Sequence, residues 1–178
     1  MLSVNKRRVI LFFLLSAGGY AVLGCGVAGH YIQSTNSMMP TIGVGDHLGT
    51  FDVTSQSINP IKRFDIVVYK AQPVKRNADA LTYHIHRVIG MPGENLEIKR
   101  GKVFINGNLL EEPFGPVEGG PDFSATEIPP NEYFLLGDNR PNSLDSRSWI
   151  KSTIKREDII GVVTKIIKRE DYDNGKRW

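Results

Sequence analysis

The sequence contains a single cysteine, Cys25, among its 178 residues. An intramolecular disulfide and a metal site built from several cysteines are therefore excluded. Basic charge is also scarce beyond the N-terminus: Lys6, Arg7 and Arg8 account for the formal net charge of +3, and the other 170 residues carry 19 basic and 19 acidic side chains. Because a nucleic-acid-binding protein needs basic side chains spread over a face, this distribution argues against nucleic acid as a partner.

Repetition and disorder are absent as well. The 18 glycines and 10 prolines follow no collagen-like period, and 40% of the residues are hydrophobic. This composition excludes a disordered chain and predicts one folded domain that buries a substantial core.

The only long apolar run covers residues 9–29, which contain no charged side chain. A helix of this length is about 30 Å long and can cross the hydrocarbon core of a bilayer. Since Lys6, Arg7 and Arg8 precede it, the positive-inside rule places the N-terminus in the cytoplasm and the remainder outside. We expect a retained anchor; a cleaved secretory signal, or a lipoprotein signal ending at Cys25, are the alternatives. We therefore predict four parts: residues 1–8 in the cytoplasm, residues 9–29 in the membrane, an extracytoplasmic domain over 30–168 and a polar tail over 169–178.

The rest of the chain is typical of short strands separated by turns. Segments rich in β-forming residues lie at 66–69, 83–90, 96–98, 102–107, 132–137 and 159–167. Asn106-Gly107 supplies the two positive φ angles of a type I′ hairpin turn. We therefore predict a mainly β fold, mostly antiparallel, with long loops over 52–62, 70–82 and 111–131.

Three polar segments are candidates for chemistry. The first contains Ser37 in a tight turn just after the apolar run, where it is either an exposed nucleophile or an ordinary turn residue. The second contains His84 and His86, which share one face of a strand because they are two residues apart. Such a pair is a general base with a neighbour, part of a metal site, or two polar surface residues. We do not expect a metal, because it would need one or two further ligands.

The third segment is the polar loop 137–147, which follows an apolar strand. Asp138 and Asp145 can accept hydrogen bonds from Arg147 or from a histidine, and Ser143 can bridge them. A carboxylate held in this way is typical of a residue that orients a catalytic base. The three segments together predict Ser37 as nucleophile, with His86 as the base that removes its proton.

These segments resemble the conserved boxes of the type I signal peptidases. The resemblance covers roughly residues 33–164, and its boxes follow in family order: Ser37-Met38-Met39-Pro40-Thr41, Arg63-Phe64-Asp65-Ile66-Val67-Val68, Arg87-Val88-Ile89-Gly90-Met91-Pro92-Gly93-Glu94, Gly101-Lys102-Val103-Phe104-Ile105-Asn106-Gly107 and Gly137-Asp138-Asn139-Arg140 with Asp145-Ser146-Arg147. The family implies a mostly antiparallel β fold after one transmembrane helix, a serine nucleophile and no cofactor.

Two positions depart from the bacterial pattern. Phe64 stands where a glycine is usual, and His86 stands where bacterial members usually carry a lysine base. Members from archaea and the endoplasmic reticulum use a histidine there, although their final box differs. We therefore expect an active enzyme with a histidine base, rather than a degenerate protein that has lost its lysine.

The resemblance also implies roles for further residues. The backbone N–H of Ser37 and the Thr35 hydroxyl would form the oxyanion hole. Ser143 would hold the base, while Asp138 and Asp145 would fix Arg147 and the loop, one of them touching the second ring nitrogen of His86. The resemblance implies that Met38, Ile42, Ile85 and Leu135 line shallow pockets that select small substrate side chains. The alternative is that these four are ordinary core residues.

The implied activity is cleavage of signal peptides from exported preproteins at the outer face of the bilayer, by a protein expected to be monomeric. Ser37 lies eight residues beyond Gly29, so the reacting atoms must lie near the membrane–water boundary. Three alternatives remain at this stage: a specialised relative with one client such as a pilin or conjugation protein, an inactive relative that acts as an assembly factor, and a self-cleaving repressor. The predicted anchor and the absence of a DNA-binding helix pair argue against the repressor.

Overall fold

The computed structural model describes residues 29–53, 60–70, 83–114 and 119–178. The predicted cytoplasmic segment 1–8 and residues 9–28 of the predicted anchor lie outside these ranges. Gly29 is predicted as the last residue of the anchor, but it is the first residue of a strand and pairs with Thr50. Within the described ranges, no helix is long and apolar enough to cross a membrane.

The regular secondary structure of the described residues is almost entirely β-strand. Its strands are β1 (Gly29–Ile32), β2 (His47–Asp52), β3 (Ile66–Lys70), β4 (Tyr83–Gly90), β5 (Asn95–Lys99), β6 (Lys102–Ile105), β7 (Asn108–Leu109), β8 (Phe123–Glu127), β9 (Glu132–Leu136), β10 (Ile154–Lys155) and β11 (Ile159–Ile167). Two short 3₁₀ turns cover Arg140–Asn142 and Arg156–Asp158, and one helix, α1, covers Arg169–Asp173.

The strands form two sheets in which every pairing between described strands is antiparallel. The larger sheet has the order β1-β2-β11-β3-β4-β9-β10, and the smaller one has the order β7-β6-β5-β8. This arrangement confirms the predicted mainly antiparallel β fold. Strands β3 and β4 pair with Val67 opposite His86 and with Tyr69 opposite His84.

The small sheet contains the predicted hairpin. Asn106 and Gly107 have φ angles of 51° and 79°, both left-handed as a type I′ turn requires. The loop predicted over 111–131 is wrong in one part, because β8 lies within it and pairs with β5. That strand carries mostly exposed polar side chains, so it lacks the apolar alternation by which a strand is recognised in sequence.

The strands at the centre of the large sheet are buried on both faces. From Ile85 onward β4 is buried, as is all of β9. On one face, Ile85 packs with Met38 and Ile42; on the other, Tyr69 lies within a separate cluster that includes Trp149. His86 therefore projects into a packed interior, with its ring centroid 6.5 Å from that of Trp149.

The segment predicted as a polar tail packs against the edge of the large sheet. The Tyr172 ring stacks on His47 with 3.5 Å between ring centroids, and the Arg169 N–H donates to Asp46 Oδ1 at 3.1 Å. Lys168 also donates to the Asp46 carboxylate, at 2.8 Å. These contacts tie the end of β11 to the loop that contains Ser37.

Candidate active site

Ser37 lies in the loop between β1 and β2, at 8% exposure. The loop folds back on itself, because the Met39 N–H donates to the Asn36 carbonyl at 3.1 Å and the Ile42 N–H donates to the Met38 carbonyl at 2.9 Å. The Ser37 hydroxyl is 3.0 Å from Thr35 Oγ1. The predicted nucleophile, Ser37, is thus in direct contact with Thr35, whose hydroxyl is a predicted oxyanion donor.

The side chain of Gln33 contacts both of these hydroxyl groups. Its amide nitrogen donates to the Thr35 carbonyl at 3.0 Å and also lies 3.3 Å from Thr35 Oγ1 and 3.5 Å from Ser37 Oγ. The side chain is 3% exposed. A buried amide aimed at both hydroxyls fixes their positions, because an unpaired amide at this depth is costly.

His86 projects from the middle of β4 at 2% exposure. Its Nε2 atom is 3.2 Å from Ser143 Oγ, and its Nδ1 atom is 2.8 Å from the Tyr69 hydroxyl. His84 lies on the same face, as its spacing predicts, with 6.5 Å between the two imidazole centroids. Of the two histidines, His86 is the one within hydrogen-bonding reach of the polar loop.

Burial dominates the electrostatics of His86. Loss of hydration lowers its pKa to about 4, against opposing attraction from the Asp145 and Asp138 carboxylates. Burial likewise raises the pKa of Tyr69 well above its ordinary value. At neutral pH the imidazole is therefore uncharged and able to accept a proton, while the phenol keeps its own.

Asp138 joins the serine loop to β4. Its carboxylate accepts from Arg87 Nε at 2.8 Å and Arg87 Nη2 at 2.5 Å, and from the Thr41 hydroxyl at 2.5 Å. Both partners of this ion pair are buried. The resemblance implies that Asp138 fixes Arg147. The structure instead pairs Asp138 with Arg87.

Asp145 organises the polar loop itself. It is fully buried and accepts from Arg147 Nε at 2.8 Å and Nη2 at 2.7 Å, and from the Gly137 N–H at 3.1 Å. Neither Asp145 nor Asp138 hydrogen-bonds to His86. The expectation that one of them would touch the second ring nitrogen is therefore wrong, because the Tyr69 hydroxyl lies there.

Gly137 brings the serine loop and the polar loop together. A Cβ atom added at this position would lie 2.2 Å from Ser143 Oγ and 2.5 Å from the Ser37 carbonyl oxygen, so only glycine fits. The Asn139 N–H donates to that same carbonyl at 2.9 Å. Within the described ranges, no hydrogen bond joins Ser37 directly to His86, and Ser143 lies beside both.

The predicted pocket residues separate into two groups. Met38, Ile42 and Ile85 pack in one cluster at 0%, 0% and 7% exposure, whereas Leu135 lies in a different cluster. The structure thus brings three of the four together and leaves Leu135 apart. All four are buried, as the alternative of ordinary core residues also requires.

Sequence reasoning missed Tyr69, Gln33 and the pairing role of Arg87. Tyr69 had a usable signal, since it ends a strand that neighbours the histidine strand and shares the histidine face. Finding it requires the β3–β4 register, which the connecting residues 71–82 do not reveal by length or composition. Gln33 had no such signal and Arg87, although it begins one of the motifs, gave no sign of its partner, because glutamine and arginine side chains are usually on the surface.

Comparisons with known proteins show which family the chain is similar to. The family model described as signal peptidase, peptidase S26, matches residues 6–167. A signal peptidase I of Leptolyngbya laminosa is 38% identical over 135 residues, which make up 74% of this chain and 64% of the relative. A signal peptidase I of Bacillus caldolyticus is 34% identical over 159 residues, which make up 80% of this chain and 81% of the relative.

A crystal structure of a signal peptidase I from Enterococcus faecalis V583 is 32% identical, with a TM-score of 0.48, over 61% of this chain and 100% of that one. The chain spans just under two thirds of the length of the Leptolyngbya relative. The family model covers most of the sequence and includes the serine, histidine and polar-loop segments that meet around Gly137. This chain therefore belongs to the signal peptidase family, peptidase S26.

Proposed function

We propose that this protein is a membrane-anchored serine endopeptidase that removes N-terminal signal peptides from exported preproteins, with Ser37 as nucleophile and His86 as general base. One observation carries the proposal: the polar loop binds the Ser37 carbonyl through Asn139 and binds His86 through Ser143. Segments more than 45 residues apart in sequence thus meet at one point. Serine, a neutral histidine and hydroxyl donors can together hydrolyse a peptide bond through an acyl-enzyme.

The proposed reaction begins with attack of Ser37 Oγ on the scissile carbonyl carbon. The Oγ–H bond breaks as its proton moves to His86 Nε2, an Oγ–C bond forms, and the carbonyl electron pair moves onto oxygen. The Ser37 N–H and the Thr35 hydroxyl stabilise that oxyanion. In the resting enzyme Thr35 instead contacts Ser37, so its hydroxyl must turn toward substrate; catalytic hydrogen bonds commonly tighten only in the complex.

Collapse of this intermediate breaks the C–N bond, and His86 Nε2 gives its proton to the leaving amine. The signal peptide then remains as an acyl ester on Ser37. A water molecule, deprotonated by His86, attacks the ester and the proton returns to Ser37 Oγ. Each cycle consumes one water and regenerates both side chains, so no cofactor is required.

Substrate choice is proposed to follow from packing beside the serine. Met38, Ile42 and Ile85 leave almost no exposed surface. Packing this tight would leave room beside Ser37 only for small residues before the cut and would exclude larger ones by overlap.

The membrane location is proposed from the N-terminal apolar run together with the surface of the serine loop. Ile32, Met39 and Val44 are 54%, 42% and 54% exposed, and they flank Ser37 directly after the proposed anchor. Apolar side chains exposed beside an anchor are stabilised when they face the interfacial region of the bilayer. Residues 9–28 would thus hold the catalytic domain on the outer face, at the depth where a signal peptide leaves the bilayer.

The test is cleavage of a preprotein by the full chain in liposomes, comparing the wild type with Ser37→Ala, His86→Ala and His84→Ala. We expect Ser37→Ala and His86→Ala each to lower the cleavage rate about a thousandfold or more, because nucleophile and base act as a unit. His84→Ala, which shares the strand and face but not the Ser143 contact, should retain most activity.

Two outcomes would contradict the proposal. Binding of preprotein by the wild type without cleavage would indicate an assembly factor. A dead Ser143→Ala variant beside an active Ser37→Ala variant would make Ser143 the nucleophile, since its hydroxyl already contacts His86.

A further inference from the structure

Two hydroxyls of the described residues lie within hydrogen-bonding distance of the His86 ring, and that of Tyr69 is the nearer. The Tyr69 hydroxyl lies 2.8 Å from Nδ1, and the tyrosine itself is fully buried. Antiparallel pairing sets Tyr69 opposite His84, so its side chain reaches diagonally along the same face to the next histidine. The contact is therefore fixed by the register of β3 and β4 rather than by a flexible loop.

The chemistry of imidazole makes this contact consequential. A neutral imidazole has one N–H and one lone pair, and the group bound at one nitrogen determines which state the other nitrogen has. The base described above needs its lone pair on Nε2, with the proton on Nδ1. Within the described ranges, the side chain bonded to Nδ1 is Tyr69, since Asp138 and Asp145 form their hydrogen bonds with other groups.

A histidine base needs such a partner in a way that a lysine does not. A primary amine has a single nitrogen on a flexible stem, so it has no second atom whose protonation must be set. An imidazole presents two nitrogens on a rigid ring. A chain with histidine at this position therefore gains a requirement for a group that fixes the ring and its tautomer.

We propose that Tyr69 is the positioning residue for His86: its hydroxyl oxygen accepts the Nδ1–H hydrogen bond and keeps the Nε2 lone pair directed toward Ser143 in the polar loop. The assignment rests on the proposed Ser37–His86 function. Ser143, the side chain that the structure places at Nε2, is a hydroxyl that can donate into a lone pair there. When His86 takes the Ser37 proton, its Nδ1–H stays bonded to the phenol oxygen, which performs the orienting task that a carboxylate performs in other serine hydrolases.

The test combines the variant Tyr69→Phe with the control Tyr133→Phe, which removes a phenol from the same core cluster without a contact to His86. Nitrogen-15 spectra of histidine-labelled protein at neutral pH report the tautomer directly. We expect protonated Nδ1 and unprotonated Nε2 at His86 in the wild type and in Tyr133→Phe, and a mixture of tautomers in Tyr69→Phe. In the cleavage assay, Tyr69→Phe should lower kcat about tenfold or more with little change in KM.

A wild-type spectrum with the proton on Nε2 would overturn the inference, as would a Tyr69→Phe spectrum and kcat equal to those of the wild type. The spectrum does not depend on turnover. Wild-type protein that shows the Nδ1–H tautomer, lost in Tyr69→Phe, but cleaves no preprotein would contradict the proposed function while supporting the positioning role.

Discussion

At the scale of single residues, Asp138 connects the serine loop to the histidine strand. One of its oxygens accepts from Arg87 on β4, and the other accepts from Arg87 and from Thr41 in the serine loop. Its neighbour Asn139 binds the Ser37 carbonyl. The serine loop is therefore held against the histidine strand by a buried charge pair rather than by apolar packing alone.

Asp138→Asn is expected to lower the free energy of unfolding by about 3–5 kcal/mol, because it leaves the Arg87 guanidinium buried without a counter-charge. Urea denaturation monitored by tryptophan fluorescence measures the loss. Glu157→Gln is the matched control, since it removes an ion pair with Lys155 that is exposed to solvent and contributes little to stability. Equal stability losses in the two variants would contradict the structural role of Asp138.

At the scale of elements, the turn before β3 contains an unusual backbone position. Phe64 has a φ angle of 75°, in the left-handed region, at the position where the family usually has glycine. Its N–H donates to the Val88 carbonyl and its carbonyl accepts from Arg87, while its ring meets Phe114 edge-on at 5.6 Å. The phenyl packing offsets a backbone conformation that glycine adopts without cost.

The left-handed φ angle predicts that a glycine at position 64 is more stable than an alanine, the reverse of the usual order. Phe64→Gly should be more stable than Phe64→Ala by about 1 kcal/mol, because both lose the ring but only glycine relieves the left-handed φ. Thermal unfolding of the two variants measures the difference. At Phe104, a half-buried phenylalanine within β6, the usual order with alanine above glycine is expected. Alanine above glycine at both positions would contradict the assignment of strain to Phe64.

The strands differ in how well their sequences predicted them. β3, β4, β9 and β11 are recognisable because they are rich in apolar residues, β-branched in β3 and β11 and aromatic in β9, and the hairpin around Asn106-Gly107 has its own turn chemistry. β8 and β10 are not, since one is polar and exposed and the other has two residues; both form because a neighbouring strand offers unpaired backbone groups.

The site was predictable to a similar degree. The motifs indicated Ser37, His86 and Ser143, and the structure places the last two in contact. The partner at the second ring nitrogen was not predictable, because Tyr69 and His86 meet only through the register of two strands. Nor did the sequence separate Leu135 from the other predicted pocket residues, since opposite faces of one sheet have equally apolar side chains.

At the scale of the whole molecule, the site consists of three segments that a single sheet brings together. β4 supplies the histidine, the β1–β2 connection supplies the serine, and the chain after β9 supplies the loop that binds both. The C-terminal residues add to this frame, because Lys168 and Arg169 bind Asp46 at the end of the serine loop. The outcome is a histidine that is almost fully enclosed, and this enclosure lowers its pKa to about 4.

The pH dependence of kcat/KM is the measurement that shows whether the enclosed His86 acts as the base. Because the pKa of His86 is lowered from its ordinary value to about 4, the imidazole stays unprotonated as pH falls from 7 to 5 and becomes protonated only below that. We therefore expect kcat/KM for preprotein cleavage to stay level from pH 7 to about 5 and to reach half its value near pH 4, with circular dichroism verifying the fold at each pH. Loss of activity already below roughly pH 8 would contradict the account, because it would indicate a lysine as the base.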